Sequence, residues 1–272
     1  DKWNVVKEIK LQLRKEYDRY AHVFEQKMTV FEQNEYESLV QGLMTKNDGL
    51  LDNIIDALSF LMERLEKYYH KKVMVFIDEY DTPFIEAHVG GYYEELRGGL
   101  SSLLHNALKT STSLHYAMMT GIQRVAKENI FSDLNNLVVC TVKDPEYSQY
   151  FGFTEEETKQ TLEYYDLSLN DEVKSMYDGY HFGEHDIYNP WSILNYASRK
   201  VLEPYWVNTS SNTMIKKAIS SSDEAFERCY EELIRNGELE TTVKMDTGFF
   251  EVNNTENLWG LLVNAGYLTL HK

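Results

Sequence analysis

The sequence predicts an α/β fold in which a parallel sheet is flanked by helices and followed by a helical lid and a small α+β unit. Three observations predict it. Short β-branched apolar runs recur between helical stretches in the first half. Helix caps replace strand signals after about residue 150. The strongest run ends in two adjacent carboxylates, where open α/β sheets place ligands.

Taken in order, residues 3 to 40 carry Val5, Ile9, Leu13, Val23, Phe24, Val30 and Phe31 at helical spacing among charges. Ile54, Ile55, Leu58, Leu61, Met62 and Leu65 form an amphipathic stripe from Asp52 to His70, and Lys71 and Lys72 complement its dipole. Val73 to Ile77 is wholly apolar, β-branched at three of five positions and too short for a helix, so it reads as a parallel strand buried on both faces. A helix from about Tyr92 to Leu108 leads to a second strand, Leu114 to Thr120, closed by Gly121; a third is expected at Leu137 to Val142. Beyond Phe151, Thr154 with Glu157 makes a capping box, Asn189-Pro190 a cap with first-turn proline, and Ser221 with Glu224 a further start that Asn236-Gly237 stops. The tail alternates Leu239, Thr241 and Val243, then gives a helix from about Glu256 to Asn264 and a strand from Gly266 to Leu270, a winged-helix-like pattern. The expected division is residues 1-150, α/β, and 151-272, lid and C-terminal unit.

Composition narrows the function. At 272 residues the chain holds one large or two modest domains. With 44 acidic against 27 basic residues its net charge is -17, a field that repels phosphate backbones, so nucleic acid is not the expected partner of this surface. The cysteines, Cys140 and Cys229, lack metal or redox spacing and suit a reducing cytoplasm. No apolar run approaches the roughly 18 residues of a membrane span. The sequence opens on Asp1 inside a charged helical pattern, which reads as the middle of a longer gene product.

The candidate chemistry sits at Asp78-Glu79, a hard oxygen donor beside a potential base at a strand end. Asp81 follows closely, and the three together would also suit a divalent-metal phosphoesterase cluster. His181 and His185 are four apart, but Gly183 between them argues against a helix and hence a zinc site. The Tyr177 to Gly183 string and the aromatics Tyr188, Trp191, Tyr205 and Trp206 read as packing groups.

Several strings occur in order: Ile77-Asp78-Glu79-Tyr80-Asp81-Thr82-Pro83, Thr120-Gly121-Ile122-Gln123-Arg124-Val125, Phe131-Ser132-Asp133-Leu134, Tyr150-Phe151-Gly152-Phe153-Thr154, Tyr177-Asp178-Gly179-Tyr180-His181-Phe182-Gly183, Tyr188-Asn189-Pro190-Trp191 and Tyr205-Trp206-Val207-Asn208. From about residue 45 onward the chain resembles the predicted bacterial AAA-ATPase-like family, whose members often carry a PD-(D/E)XK nuclease-like domain after the ATPase part. The resemblance implies a partial P-loop NTPase-like sheet using ATP and Mg2+, with residues 73-79 as the Walker B strand. By it, Asp78 holds Mg2+, Glu79 acts as catalytic base, Asp81 belongs to the cofactor site, Thr120 is sensor-like, and Arg124 or Lys127 supplies positive charge. The sequence departs from the family in one respect: G-x-x-x-x-G-K-[ST], the phosphate-cradling loop, occurs nowhere in it. ATP hydrolysis is therefore expected of an intact parent and not of this chain alone. A degenerate fold serving as a protein-interaction scaffold, and a homo-oligomer, are the other expectations.

Overall fold

The computed structural model describes residues 4–45, 51–122, 137–206, 219–220, 222–245 and 255–270. Its contacts separate two compact units, residues 1–137 and 138–272.

The first unit opens with α1 (Asn4–Arg19), a 3-10 turn at Ala21–Glu25 and α2 (Val30–Met44). Thr29 and Glu32 form a reciprocal capping box that starts α2. A 3-10 turn at Asp52–Ile54 leads into α3 (Ala57–Tyr69), which ends where His70 takes a left-handed φ of 55°. Aromatic rings tie these helices together: Phe24 stacks on Tyr17 at 5.0 Å and on Tyr36 at 4.7 Å, and the Tyr17 hydroxyl donates to Ala57 O at 2.8 Å. Arg64, 2% exposed, clamps the turn before α2 by donating to Glu32 and to the carbonyls of Val23 and Gln26.

Then come β1 (Val73–Ile77), α4 (Thr82–Val89), α5 (Tyr93–His105) with a π-type turn at Asn106–Thr110, and β2 (Leu114–Met119). β1 and β2 pair in parallel, Val75 opposite Ala117 and Ile77 opposite Met119, joined by the helical crossover that parallel strands require. The helix α4 was not foreseen; Pro83 in its first turn is the signal that marks it. β1 departs from the expected double burial. Val75 is buried, whereas Met74 is 52% and Phe76 66% exposed, with Tyr116 beside them on the same face. A run of five apolar residues therefore marks one covered face and one open one.

In the second unit a 3-10 turn at Ser148–Tyr150 precedes β3 (Phe153–Thr154), α6 (Glu155–Tyr164) and α7 (Asp171–Tyr177). β4 (Asp178–Phe182) and β5 (His185–Tyr188) follow, then α8 (Pro190–Arg199), α9 (Glu224–Asn236) and α10 (Thr255–Asn264). The capping box at Thr154 and the Asn189 cap form as expected. α9 is capped by Asp223 and closed by Gly237 at φ 79°.

Strand signals do not end at Phe151. β3, β5 and β4 make an antiparallel sheet whose hairpin turns at Gly183-Glu184, with Gly183 at φ 57° as such two-residue turns demand. Conversely, Leu137–Val142 forms no strand: Val138 is 80% exposed, and Thr141 and Asp144 close a local turn instead, the Thr141 N–H and hydroxyl both donating to Asp144 Oδ2. Neither 239–243 nor 266–270 is a strand. The core of this unit gathers Leu162, Val173, Tyr177, Tyr188, Ile193 and Ala197, and Phe226 packs on Trp259 at 4.5 Å.

Candidate functional site

The site is built where β1 and β2 end together. Pairing continues past both strands: Thr120 N–H donates to Ile77 O at 2.9 Å, and Tyr80 N–H donates to Thr120 O at 3.0 Å. Asp78 and Thr120 thus lie side by side at the carboxyl edge of the sheet. The Thr120 hydroxyl donates to Asp78 Oδ1, which also accepts the Glu79 N–H at 3.0 Å. Both donors use one oxygen, so Asp78 Oδ2 has no partner among the described residues.

Glu79 follows at φ 52°, a left-handed conformation that costs a non-glycine residue roughly 1 kcal/mol or more. That bend turns the chain out of the strand and into α4, helped by Thr82 N–H donating to Glu79 O at 3.1 Å. Asp78 and Glu79 are both exposed, and among the described residues neither forms an ion pair. Two open carboxylates at the end of a parallel sheet, one of them at a strained position, can hold a hard cation or orient water.

Asp81 is placed differently. It is 2% exposed, and its Oδ2 accepts the Ile122 N–H at 3.0 Å. A Cβ on Gly121 would stand 2.6 Å from Asp81 Oδ1 and 2.8 Å from the Tyr80 ring, so only glycine lets the two loops close. Sequence reasoning missed this closure; its one signal was the glycine directly after the second strand. Arg124 and Lys127 lie outside the described residues.

Among the described residues no three His, Cys, Asp or Glu side chains gather as a metal cage would need. The chemistry of the donors still fits Mg2+, which is held by one or two carboxylates and otherwise by water and phosphate oxygens. Asp78 would hold it. A groove of about 500 Å3 is lined by other residues, Gln26, Lys27, Glu32, Arg64 and Lys67, and belongs to the Arg64 clamp.

In the second unit Tyr177 and Tyr188 are buried, as packing groups should be, while Trp191 and Trp206 are about half exposed. His181 pairs across the hairpin with Asp186 at 2.7 Å. Cys140 and Cys229 are free thiols. Among the described residues no helix is long and apolar enough to cross a membrane.

An uncharacterized protein from the vnfD 5' region of Azotobacter chroococcum mcd 1 is 28% identical over 202 residues, 74% of this chain. The aligned stretch spans 37% of that relative's own length. No solved structure matches. The model of the family described as predicted AAA-ATPase matches residues 2–131, a stretch that includes Asp78, Glu79, Asp81, Thr120 and Arg124, so this part of the chain is similar to that family.

Proposed function

We propose that this domain carries the metal-holding and water-activating part of an ATP-hydrolysing site. The observation behind the proposal is the juxtaposition of Asp78 and Thr120 at the carboxyl ends of two parallel strands, with one Asp78 oxygen unpartnered among the described residues. Asp78 would hold Mg2+. When bound, the ion neutralises charge developing on the transferred phosphoryl group. Glu79, exposed and beside it, accepts hydrogen bonds from the attacking water and draws off its proton. Thr120 faces the terminal phosphate from the neighbouring strand, and Arg124 or Lys127, a few residues further on, supplies positive charge.

The phosphates need a cradle of backbone amides and a lysine, which these 272 residues do not encode as a recognisable loop. A further strand bearing that loop, from the same polypeptide or a second chain, would join the β1–β2 sheet, whose edges are unpaired among the described residues and whose Met74, Phe76 and Tyr116 lie uncovered. In the intact protein ATP binding then drives an attached effector, for which a nuclease-like domain is the reading the family resemblance supports, in the cytoplasm. The test is ATP turnover by a polypeptide that combines this chain with a phosphate-binding loop: Glu79→Gln abolishes it, and turnover surviving that change removes Glu79 from the mechanism.

A further inference from the structure

We propose that Asp81 is the positioning residue of this site, holding the loop after β2 against the loop after β1 so that Thr120 fixes the Asp78 carboxylate. The proposal rests on the reading of Asp78 as the metal-holding group, and it separates Asp81 from direct contact with the ion.

Asp81 stands at the first turn of α4, where an aspartate ordinarily accepts an N–H of its own helix. It makes no such bond. Its side chain turns instead to a segment 41 residues downstream and accepts the Ile122 N–H at 3.0 Å. A carboxylate that is 2% exposed carries a desolvation cost, which a cap on the helix surface would avoid. Gly121 completes the arrangement, because any Cβ there would collide with Asp81 Oδ1 at 2.6 Å. Between these contacts and the sheet lies Thr120, held by Ile77 O on one side and the Tyr80 N–H on the other. Its hydroxyl is thereby delivered to Asp78 Oδ1. The path runs from Asp81 through Ile122 and Gly121 to Thr120 and then to Asp78. Outer partners of this kind orient a metal-binding carboxylate without touching the metal. Asp81, buried beneath the loops, is itself closed off from a solvent-side ion.

The test uses the whole chain and Mn2+ as a visible substitute for Mg2+, with affinity read by electron paramagnetic resonance and the loops by amide NMR. Asp81→Ala and Gly121→Ala weaken Mn2+ at the Asp78 site about tenfold or more, the usual loss for an outer partner. Asp81→Asn, whose amide oxygen still accepts from Ile122, stays within about threefold of wild type by the same standard. If Asp81→Asn weakens binding as much as Asp78→Asn does, Asp81 is a direct ligand and the proposal fails. If Asp81→Ala lowers thermal stability but leaves affinity unchanged, its role is only structural and the proposal also fails. Should Asp81→Ala not fold, Gly121→Ala and Asp81→Asn decide alone. Absence in wild type of any Mn2+ binding that Asp78→Asn removes would overturn the metal reading itself. The positioning claim then stands or falls on the metal-free chain: amide exchange at Tyr80, Thr120 and Ile122 accelerates in Asp81→Ala or Gly121→Ala and not in Asp81→Asn, and unchanged exchange overturns it.

Discussion

Replacing Glu32 by Gln isolates a charge on which the first unit depends. Glu32 Oε1 receives Lys67 and Arg64, the latter at 3.2 Å, while Oε2 accepts the Thr29 N–H at 2.8 Å. Lys67 first, and then the Thr29 N–H, hold this carboxyl at about 2, below its ordinary 4.5. At ~1.4 kcal/mol per pH unit that displacement is worth at most roughly 3.5 kcal/mol. Lys67 is half exposed and water screens it, so about 1.5 to 2 kcal/mol is the realistic share. Arg64 does not escape in the same way, because its guanidinium is buried and would lose the carboxylate it pairs with. Gln keeps the helix cap, since its amide oxygen also serves a capping box. Because the folded carboxyl titrates low, its contribution is complete above about pH 4.5 and is lost as the pH falls through about 2. Native-state hydrogen exchange at α2 and α3 amides should therefore show Glu32→Gln less stable by about 2 kcal/mol at pH 7, the gap narrowing below about pH 4.5 and closing near pH 2. A gap under about 0.5 kcal/mol at pH 7, within the range of an ordinary surface change, would refute the clamp. A gap unchanged between pH 6 and pH 3 would refute the electrostatic cause.

Other perturbations test other parts of the molecule. Gly260→Ala places a Cβ 1.9 Å from Lys244 O, so overpacking of about 1 to 3 kcal/mol is expected, read from thermal unfolding followed by Trp259 fluorescence; an unshifted midpoint would show that the 244–245 segment yields freely. Phe76→Ser, on the open face of β1, should cost under about 0.5 kcal/mol in urea unfolding, whereas a loss of about 3 kcal/mol would mean that the face is covered. Thr120→Val keeps the strand pairing but removes the hydroxyl from Asp78, and should weaken Mn2+ several-fold with little change in melting; unchanged affinity would detach Thr120 from the site. This chain alone should show no measurable heat with Mg-ATP by calorimetry, and micromolar affinity would overturn the need for a separate phosphate cradle.

What was legible in the sequence was local. The capping box at Thr154 and the Asn189 cap declare themselves within four residues, and β1 declares itself as a β-branched run between charges. Pairing across the chain did not show. Tyr177 to Gly183 reads as a packing string and not as a strand because its partner, His185 to Tyr188, is too short to signal a strand by itself. Leu137 to Val142 has strand composition, yet composition does not provide a neighbour, and the Thr141–Asp144 turn is the local alternative that forms. At the site, Asp78 and Glu79 were legible because a strand end fixes where they stand. The burial of Asp81 was not, since it follows from a bond to Ile122 that no pattern around residue 81 contains.

The central claim, that Asp78 holds a divalent ion at the end of the parallel sheet, is tested most directly by where Mn2+ broadens amide resonances in this acidic chain. The account predicts that sub-stoichiometric Mn2+ erases the signals of Glu79, Tyr80, Gly121 and Ile122 first, and that Asp78→Asn restores them. Broadening that begins elsewhere, for example at the Glu155–Glu157 turn, or that persists at Glu79 and Ile122 in Asp78→Asn, would contradict it.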